Sequence, residues 1–139
     1  MADFPRTTVG GVSVSRLVIG VNWFFGWSHT SAVKVRLIKS ALTEERIADI
    51  IATFLAAGVD TLIGPPLPQM KDIFARAENK AGRKIIPILT PNFPLDPKNP
   101  VKSDDARKAL DITRDLGAKF CLPHQCVTDA LLDKLHGTI

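Results

Sequence analysis

One pattern recurs along this chain: an amphipathic helix ends at a glycine, and an aliphatic strand follows at once. The step occurs at Gly58-Val59, Gly82-Arg83 and Gly117-Ala118, and it begins again at Gly137-Thr138. Glycine readily adopts the left-handed conformation that ends a helix. Strands that alternate with helices favour right-handed β-α-β units around a parallel sheet. The sequence therefore predicts an α/β fold with a parallel sheet.

The first strand of this series is predicted at Leu17–Asn22. It is apolar almost throughout, which is typical of a strand covered on both faces. The apolar run ends at Asn22 and Trp23. A change from aliphatic to polar and aromatic residues is typical of the carboxyl end of a strand, where parallel α/β folds place their ligand sites. A long connection follows, for which a short helix at Ala32–Lys39 is one interpretation.

Capping residues and apolar periodicity predict the other elements. Three more strands are expected, at Val59–Ile63, Lys84–Thr90 and Lys119–Pro123, the last with Cys121 in its interior. Four helices are expected to start near Thr43, Met70, Ser103 and Thr128, where hydroxyl groups can serve as N-caps in three cases. Phe54 and Leu110 are assigned to the inward faces of the first and third of these helices. Four prolines predict a stiff loop before the third helix: Pro91, Pro94, Pro97 and Pro100.

The sequence predicts a single domain, residues 1–139. A β-hairpin is predicted at 7–14, because Gly10-Gly11 supplies the positive φ angles of a two-residue turn. Four β-α units follow at 17–137, half of the eight in a (β/α)8 barrel. We therefore expect the N-terminal half of a TIM barrel, a piece of a longer barrel. A complete small open sheet is the alternative.

Composition excludes several classes of protein. The net charge is +4 and the hydrophobic fraction is 45%, as in ordinary soluble domains. The densest basic group, Lys34, Arg36 and Lys39, is typical of a solvated face and not of a nucleic-acid site. Two cysteines are too few for a disulfide framework. The apolar runs are too short to span a membrane, and no secretory signal is recognisable, so a cytoplasmic location is expected.

The segment Thr8–Gly20, with its Val-Ser-Arg-Leu phrase, resembles the start of the aldo/keto reductase family. There a hairpin closes the bottom of the barrel before the first barrel strand. The phrase Ala56-Ala57-Gly58-Val59-Asp60-Thr61 is similar to that family's passage into its second strand. The resemblance implies a TIM barrel. It also implies NADP as a cofactor, an expectation that rests on the family resemblance alone.

The residues of that family's reductase chemistry are mostly not matched. Ile63 stands where the family has an aspartate, and Thr90 lies near the place of its lysine. The chain contains no tyrosine. His124 alone fits the family's pattern, and the family's cofactor phosphate site would lie in the second half of the barrel. The resemblance thus favours the fold and argues against ordinary reductase chemistry.

Side chains at the carboxyl ends of barrel strands converge on one mouth. This rule selects His124 as the catalytic candidate, since an imidazole can act as acid or base or donate to a substrate oxygen. A structural role in the loop fits His124 equally well. The rule also selects five residues for substrate binding: Asn22, Trp23, Thr90, Asn92 and Gln125. His29, in the first loop, could reach the mouth, and a solvated surface position is the favoured interpretation.

Three functions remain open from the sequence. The first is an enzyme of aldo/keto reductase type in fold, acting on a small molecule. The second is a His-based metal-dependent isomerase or lyase, although no metal ligand set is assigned within this chain. The third is a non-catalytic half-barrel that associates with itself or with a missing C-terminal half. No Asp or Glu falls at a strand end, so a two-carboxylate hydrolase is not expected.

Overall fold

The computed structural model describes residues 4–27, 29–94 and 104–136, which contain six strands and five helices. The strands are β1 (Arg6–Val9), β2 (Val12–Ser15), β3 (Val18–Gly20), β4 (Thr61–Gly64), β5 (Ile86–Leu89) and β6 (Phe120–Cys121). The helices are α1 (Ala32–Ala41), α2 (Glu44–Ala56), α3 (Met70–Ala81), α4 (Asp104–Asp115) and α5 (Gln125–His136). Among these, no helix has both the length and the apolar composition needed to cross a membrane.

Strands β1 and β2 form the expected antiparallel hairpin. Their pairing runs from Arg6 opposite Ser15 to Val9 opposite Val12, one residue longer at each end than the sequence indicated. The turn uses Gly10-Gly11, at φ 54° and 78°. Residues with side chains adopt these angles only with strain, so this pair of glycines confirms the predicted turn.

The other four strands form a parallel sheet in the order β3-β4-β5-β6. Consecutive strands are neighbours, as in a series of β-α-β units. The prediction of an α/β fold with a parallel sheet is therefore confirmed. Within the described ranges the sheet is open, since no strand pairs with the outer edge of β3 or β6.

Helices α2 and α3 cover one face of this sheet. The apolar core between them contains Ile19, Val21, Leu62 and Leu89 from the sheet side and Ile47, Ala48, Ile51, Leu55, Ile73, Phe74 and Ala77 from the helices. Burying one large aliphatic side chain stabilises a fold by about 1.5–3 kcal/mol. This layer therefore holds the carboxyl ends of the strands in place.

The opposite face of the sheet is much less covered. Val18 is 40% exposed while its neighbour Ile19 is buried, and Ile63 and Ile88 are half-buried. The expectation that the first strand is covered on both faces was wrong. The reason is that the described helices pack against one face only, so alternate residues of β3 remain open to solvent.

The hairpin lies against the amino-terminal end of the sheet. Ser15 N donates to Thr61 Oγ1 at 2.9 Å, and Thr61 N donates to Ser15 Oγ at 3.1 Å. A Cβ atom at Gly10 would lie 3.9 Å from Phe120 Cε1, which places the turn next to β6. The hairpin therefore spans the sheet from β4 to β6 at the end opposite the strands' carboxyl termini.

The last β-α unit departs most from expectation. The fourth strand forms within Lys119–Pro123, as predicted, but it has two residues. The expectation that it is buried was wrong, since Cys121 and Leu122 are exposed. Helix α5 begins at Gln125, so Thr128 lies inside it and is not its N-cap. The cause is the edge position of β6, which has a partner on one side only.

Two residues assigned to inward helix faces are exposed, Phe54 at 36% and Leu110 at 45%, because sheet contact covers a narrower stripe of each helix than periodicity implied. Predictions at Pro97, Pro100, Ser103 and Gly137-Thr138 lie outside the described residues.

Candidate functional site

A cavity of about 610 Å³ lies at the carboxyl ends of the parallel strands. It is bounded by residues that follow β3, β4, β5 and β6, because parallel strands all end at the same edge of a sheet. The hairpin is at the other end of the sheet. The cavity therefore occupies the position where folds of this class bind their ligands.

Five of the six residues that the sequence selected line this cavity: Asn22, Trp23, Thr90, Asn92 and His124. Gln125 lies outside it. It is the first residue of α5, and its side chain is exposed. Ile63, in the place of the family's aspartate, also lines the cavity. The structure thus brings together residues separated by up to a hundred positions in the sequence.

Backbone hydrogen bonds hold the strand ends that carry these side chains. Thr90 N donates to Gly64 O at 2.8 Å, and His124 N donates to Pro91 O at 2.9 Å. These bonds extend the parallel ladder just beyond the strands themselves. The backbones at Thr90 and His124 are therefore fixed relative to each other, which positions their side chains at the cavity.

Gly64 is required by the close approach of two strand ends. A Cβ atom on Gly64 would overlap Cγ2 of Val21, which is itself almost fully buried. Gly20, on the neighbouring strand, has no atom within 4 Å of the place where its Cβ would lie. The cavity wall is thus tightly packed at Gly64 and open at Gly20.

His124 is the N-cap of α5. Its Nδ1 accepts the backbone N–H of Cys126 at 3.3 Å, and its carbonyl oxygen accepts the N–H of Val127 at 2.8 Å. A neutral imidazole that accepts through Nδ1 carries its proton on Nε2. Nε2 bonds to no residue that the structure describes. His124 therefore combines a structural role with a ring N–H that is free to donate.

His29 belongs to the cavity, although the sequence placed it on the surface. Its side chain is exposed and lines the cavity, and Nδ2 of Asn22 lies 3.3 Å from its Nε2. Its backbone is left-handed, with φ 54°. Non-glycine residues in this region carry strain, which concentrates at functional sites. The sequence holds no periodic signal that would have shown this.

Tryptophan side chains form another part of the wall. Trp23 is 49% exposed and Trp27 is 40% exposed, and both line the cavity. A tight turn brings them there, with Trp27 N donating to Asn22 O at 2.8 Å and Gly26 at φ 77°. Nζ of Lys34 lies 4.7 Å from the centre of the Trp23 ring, a cation–π contact. Trp27 was not among the residues selected from sequence.

The lining of the cavity contains no Asp, Glu, Lys or Arg, and its ionisable side chains are His29 and His124. No Arg or Lys side chain in this lining could pair with the phosphates of NADP.

Metal ligation at His124 is also disfavoured. To bind a metal through Nε2, the ring would have to carry its proton on Nδ1, which would break the bond from Cys126 N–H. Within the described ranges, moreover, no three His, Cys, Asp or Glu side chains are grouped to hold an ion.

Comparison of the chain with protein-family models, curated proteins and solved structures finds no match. Function must therefore be inferred from the chemistry of the cavity itself.

Proposed function

We propose that this chain is the N-terminal half of a (β/α)8 barrel similar to the aldo/keto reductases, and that its mouth binds a small organic molecule. The observation that carries the proposal is the cavity of about 610 Å³, in which residues following four parallel strands meet. Cavities of this size and position are the usual ligand sites of such folds.

His124 is the residue proposed to contact the ligand's reactive group. Its Nδ1 is engaged in capping α5, so its Nε2–H is the atom left to donate to a ligand oxygen. Thr90 and Asn92 add a hydroxyl and an amide along the same wall. Such a donor can polarise a carbonyl or hold a hydroxyl, which is the first requirement of acid catalysis at that oxygen.

Ordinary nicotinamide-dependent reduction is not part of this proposal. Ile63 replaces the family's carboxylate, and the chain has no tyrosine to supply a proton. We expect NADPH to cause no saturable change in the fluorescence of the two tryptophans, and no reduction of carbonyl compounds.

A cavity-filling variant tests the proposal. Gly20→Leu places a side chain in open space at the cavity wall, so the fold should tolerate it while the cavity loses volume. Thr7→Leu adds apolar volume on the exposed hairpin, at the other end of the sheet, and serves as the control. In a ligand-observed NMR screen of small neutral and charged compounds, some should bind the wild type and Thr7→Leu but not Gly20→Leu. A screen in which no compound distinguishes Gly20→Leu would contradict a ligand-binding mouth.

Association of two copies is a second candidate function. It is favoured by the exposed apolar side chains on and beside the two edge strands, Leu17 at 45%, Val18 at 40% and Leu122 at 50%. Unpaired strand edges and apolar faces promote association. Sedimentation should show a dimer or larger species that Val18→Lys dissociates. A wild-type chain that sediments as a monomer and melts cooperatively would exclude it.

A further inference from the structure

Resting on the proposed function, we infer the class of ligand that this mouth takes: an uncharged, planar aromatic molecule that carries an oxygen acceptor. Three features of the cavity lead to this class. They are a lining without Asp, Glu, Lys or Arg, its tryptophan wall and the hydrogen bonds of its histidines.

The absence of Asp, Glu, Lys and Arg from the lining selects against ionic ligands. A carboxylate or an ammonium group that enters the cavity leaves water and meets none of these side chains there. An uncompensated buried charge is far more costly than a hydrogen-bonded neutral group. Lys34 places a cation at the rim, but it is exposed and its Nζ already lies over Trp23.

The tryptophan wall selects for a flat ring. Trp23 and Trp27 come from one short turn and are both partly exposed at the cavity. Aromatic pairs in offset or edge-to-face contact gain about 0.5–1.5 kcal/mol beyond the burial of their area. A planar ligand gains this from two indoles, while a compact aliphatic one does not.

The hydrogen bonds of the two histidines favour a ligand that carries a hydrogen-bond acceptor. Nε2–H of His124 is a donor, because Nδ1 accepts from Cys126. At the other side, Nδ2 of Asn22 faces Nε2 of His29, which leaves Nδ1–H of a neutral His29 as a second donor. A carbonyl or amide oxygen on the ligand pairs with such donors. A ligand without an acceptor would leave them unsatisfied.

Intrinsic fluorescence reports on this cavity alone. The chain has two tryptophans and no tyrosine, and both tryptophans line the cavity. We would titrate the full chain with three probes that share one ring: benzamide, which is neutral, benzoate, which is an anion, and benzylamine, which is a cation. Lys34→Met is the control variant, since it removes the rim cation and its contact with Trp23 while every residue of the lining is kept.

We expect saturable quenching by benzamide, with an affinity about tenfold above that for benzoate or benzylamine. The preference should persist in Lys34→Met and disappear in Gly20→Leu. Equal or tighter binding of benzoate or benzylamine would overturn the uncharged class and leave the ligand-binding mouth standing. No saturable response to any of the three would overturn the inference, while the NMR screen decides the proposed function separately.

Discussion

Arg6, on the first strand of the hairpin, forms an ion pair with Asp60, the residue that precedes β4, with Nη1 2.8 Å from Oδ2. Asp60 is 6% exposed, so its carboxylate depends on this partner. The same guanidinium also donates to Ser13 Oγ and Ser13 O. The contact therefore ties the hairpin to the amino-terminal end of the sheet, opposite the cavity.

Arg6→Met should lower the free energy of unfolding by about 2 kcal/mol, because it leaves a buried carboxylate without its closest cation. The loss is moderated by Arg83, whose Nη1 is 3.7 Å from the same oxygen. Arg114→Met is the matched control, since its ion pair with Asp111 is exposed and worth little. Equal losses in urea denaturation of the two variants would show that the Arg6 pair does not hold the hairpin.

Gly64→Ala should destabilise the fold by about 1–3 kcal/mol, because the added methyl overlaps the buried side chain of Val21. Gly20→Ala is the control on the neighbouring strand, where space is open, and its effect should stay within about 0.5 kcal/mol. Thermal melts of both variants measure the difference. If Gly64→Ala melts like Gly20→Ala, the strand ends are not packed as described.

Local chemistry explains what the sequence revealed of the fold. Thr43 was expected to cap α2, and its Oγ1 accepts from Arg46 N at 3.2 Å. Apolar spacing also placed Ile51 and Leu55 in the core. The exposure of Val18 could not be predicted, because it depends on how many helices pack against the sheet. The residues of β3 alone do not determine that number.

The candidate site was predictable where strand ends determine it. Asn92 and His124 follow strands whose carboxyl ends meet, so a general rule of parallel folds finds them. Trp27 and His29 depend on the path of one irregular loop, which has no periodicity to read. The start of α5 was misplaced because threonine is a common N-cap and histidine is not.

Cys121 provides a pH-dependent prediction. Although it is exposed on the edge strand, partial burial of its thiol raises its pKa, since burial disfavours the thiolate. Stability should therefore be constant below the thiol's pKa in the unfolded chain, fall as pH rises from that value through the raised pKa of the folded chain, and level off above it. In Cys126→Ser, the pH midpoint of alkylation by iodoacetamide should lie higher in the folded chain than in urea. A midpoint that urea does not move would contradict this.

A pair of substitutions can separate the capping role of His124 from its proposed ligand role. His124→Ala removes the cap of α5, so it should cost about 1 kcal/mol of stability and also abolish binding at the cavity. Asparagine is a good N-cap but lacks the imidazole N–H that would reach a ligand oxygen. His124→Asn should therefore keep the stability of the wild type while losing affinity.

Thermal melts and benzamide titrations of both variants make the comparison quantitative. If His124 only caps α5 and does not contact the ligand, His124→Asn should bind benzamide as tightly as the wild type. This result would remove His124 from the site. A ligand role predicts loss of affinity in both variants and loss of stability in His124→Ala alone. Stability and affinity then vary independently at one residue, because Nδ1 caps the helix and Nε2 is the atom proposed to contact the ligand.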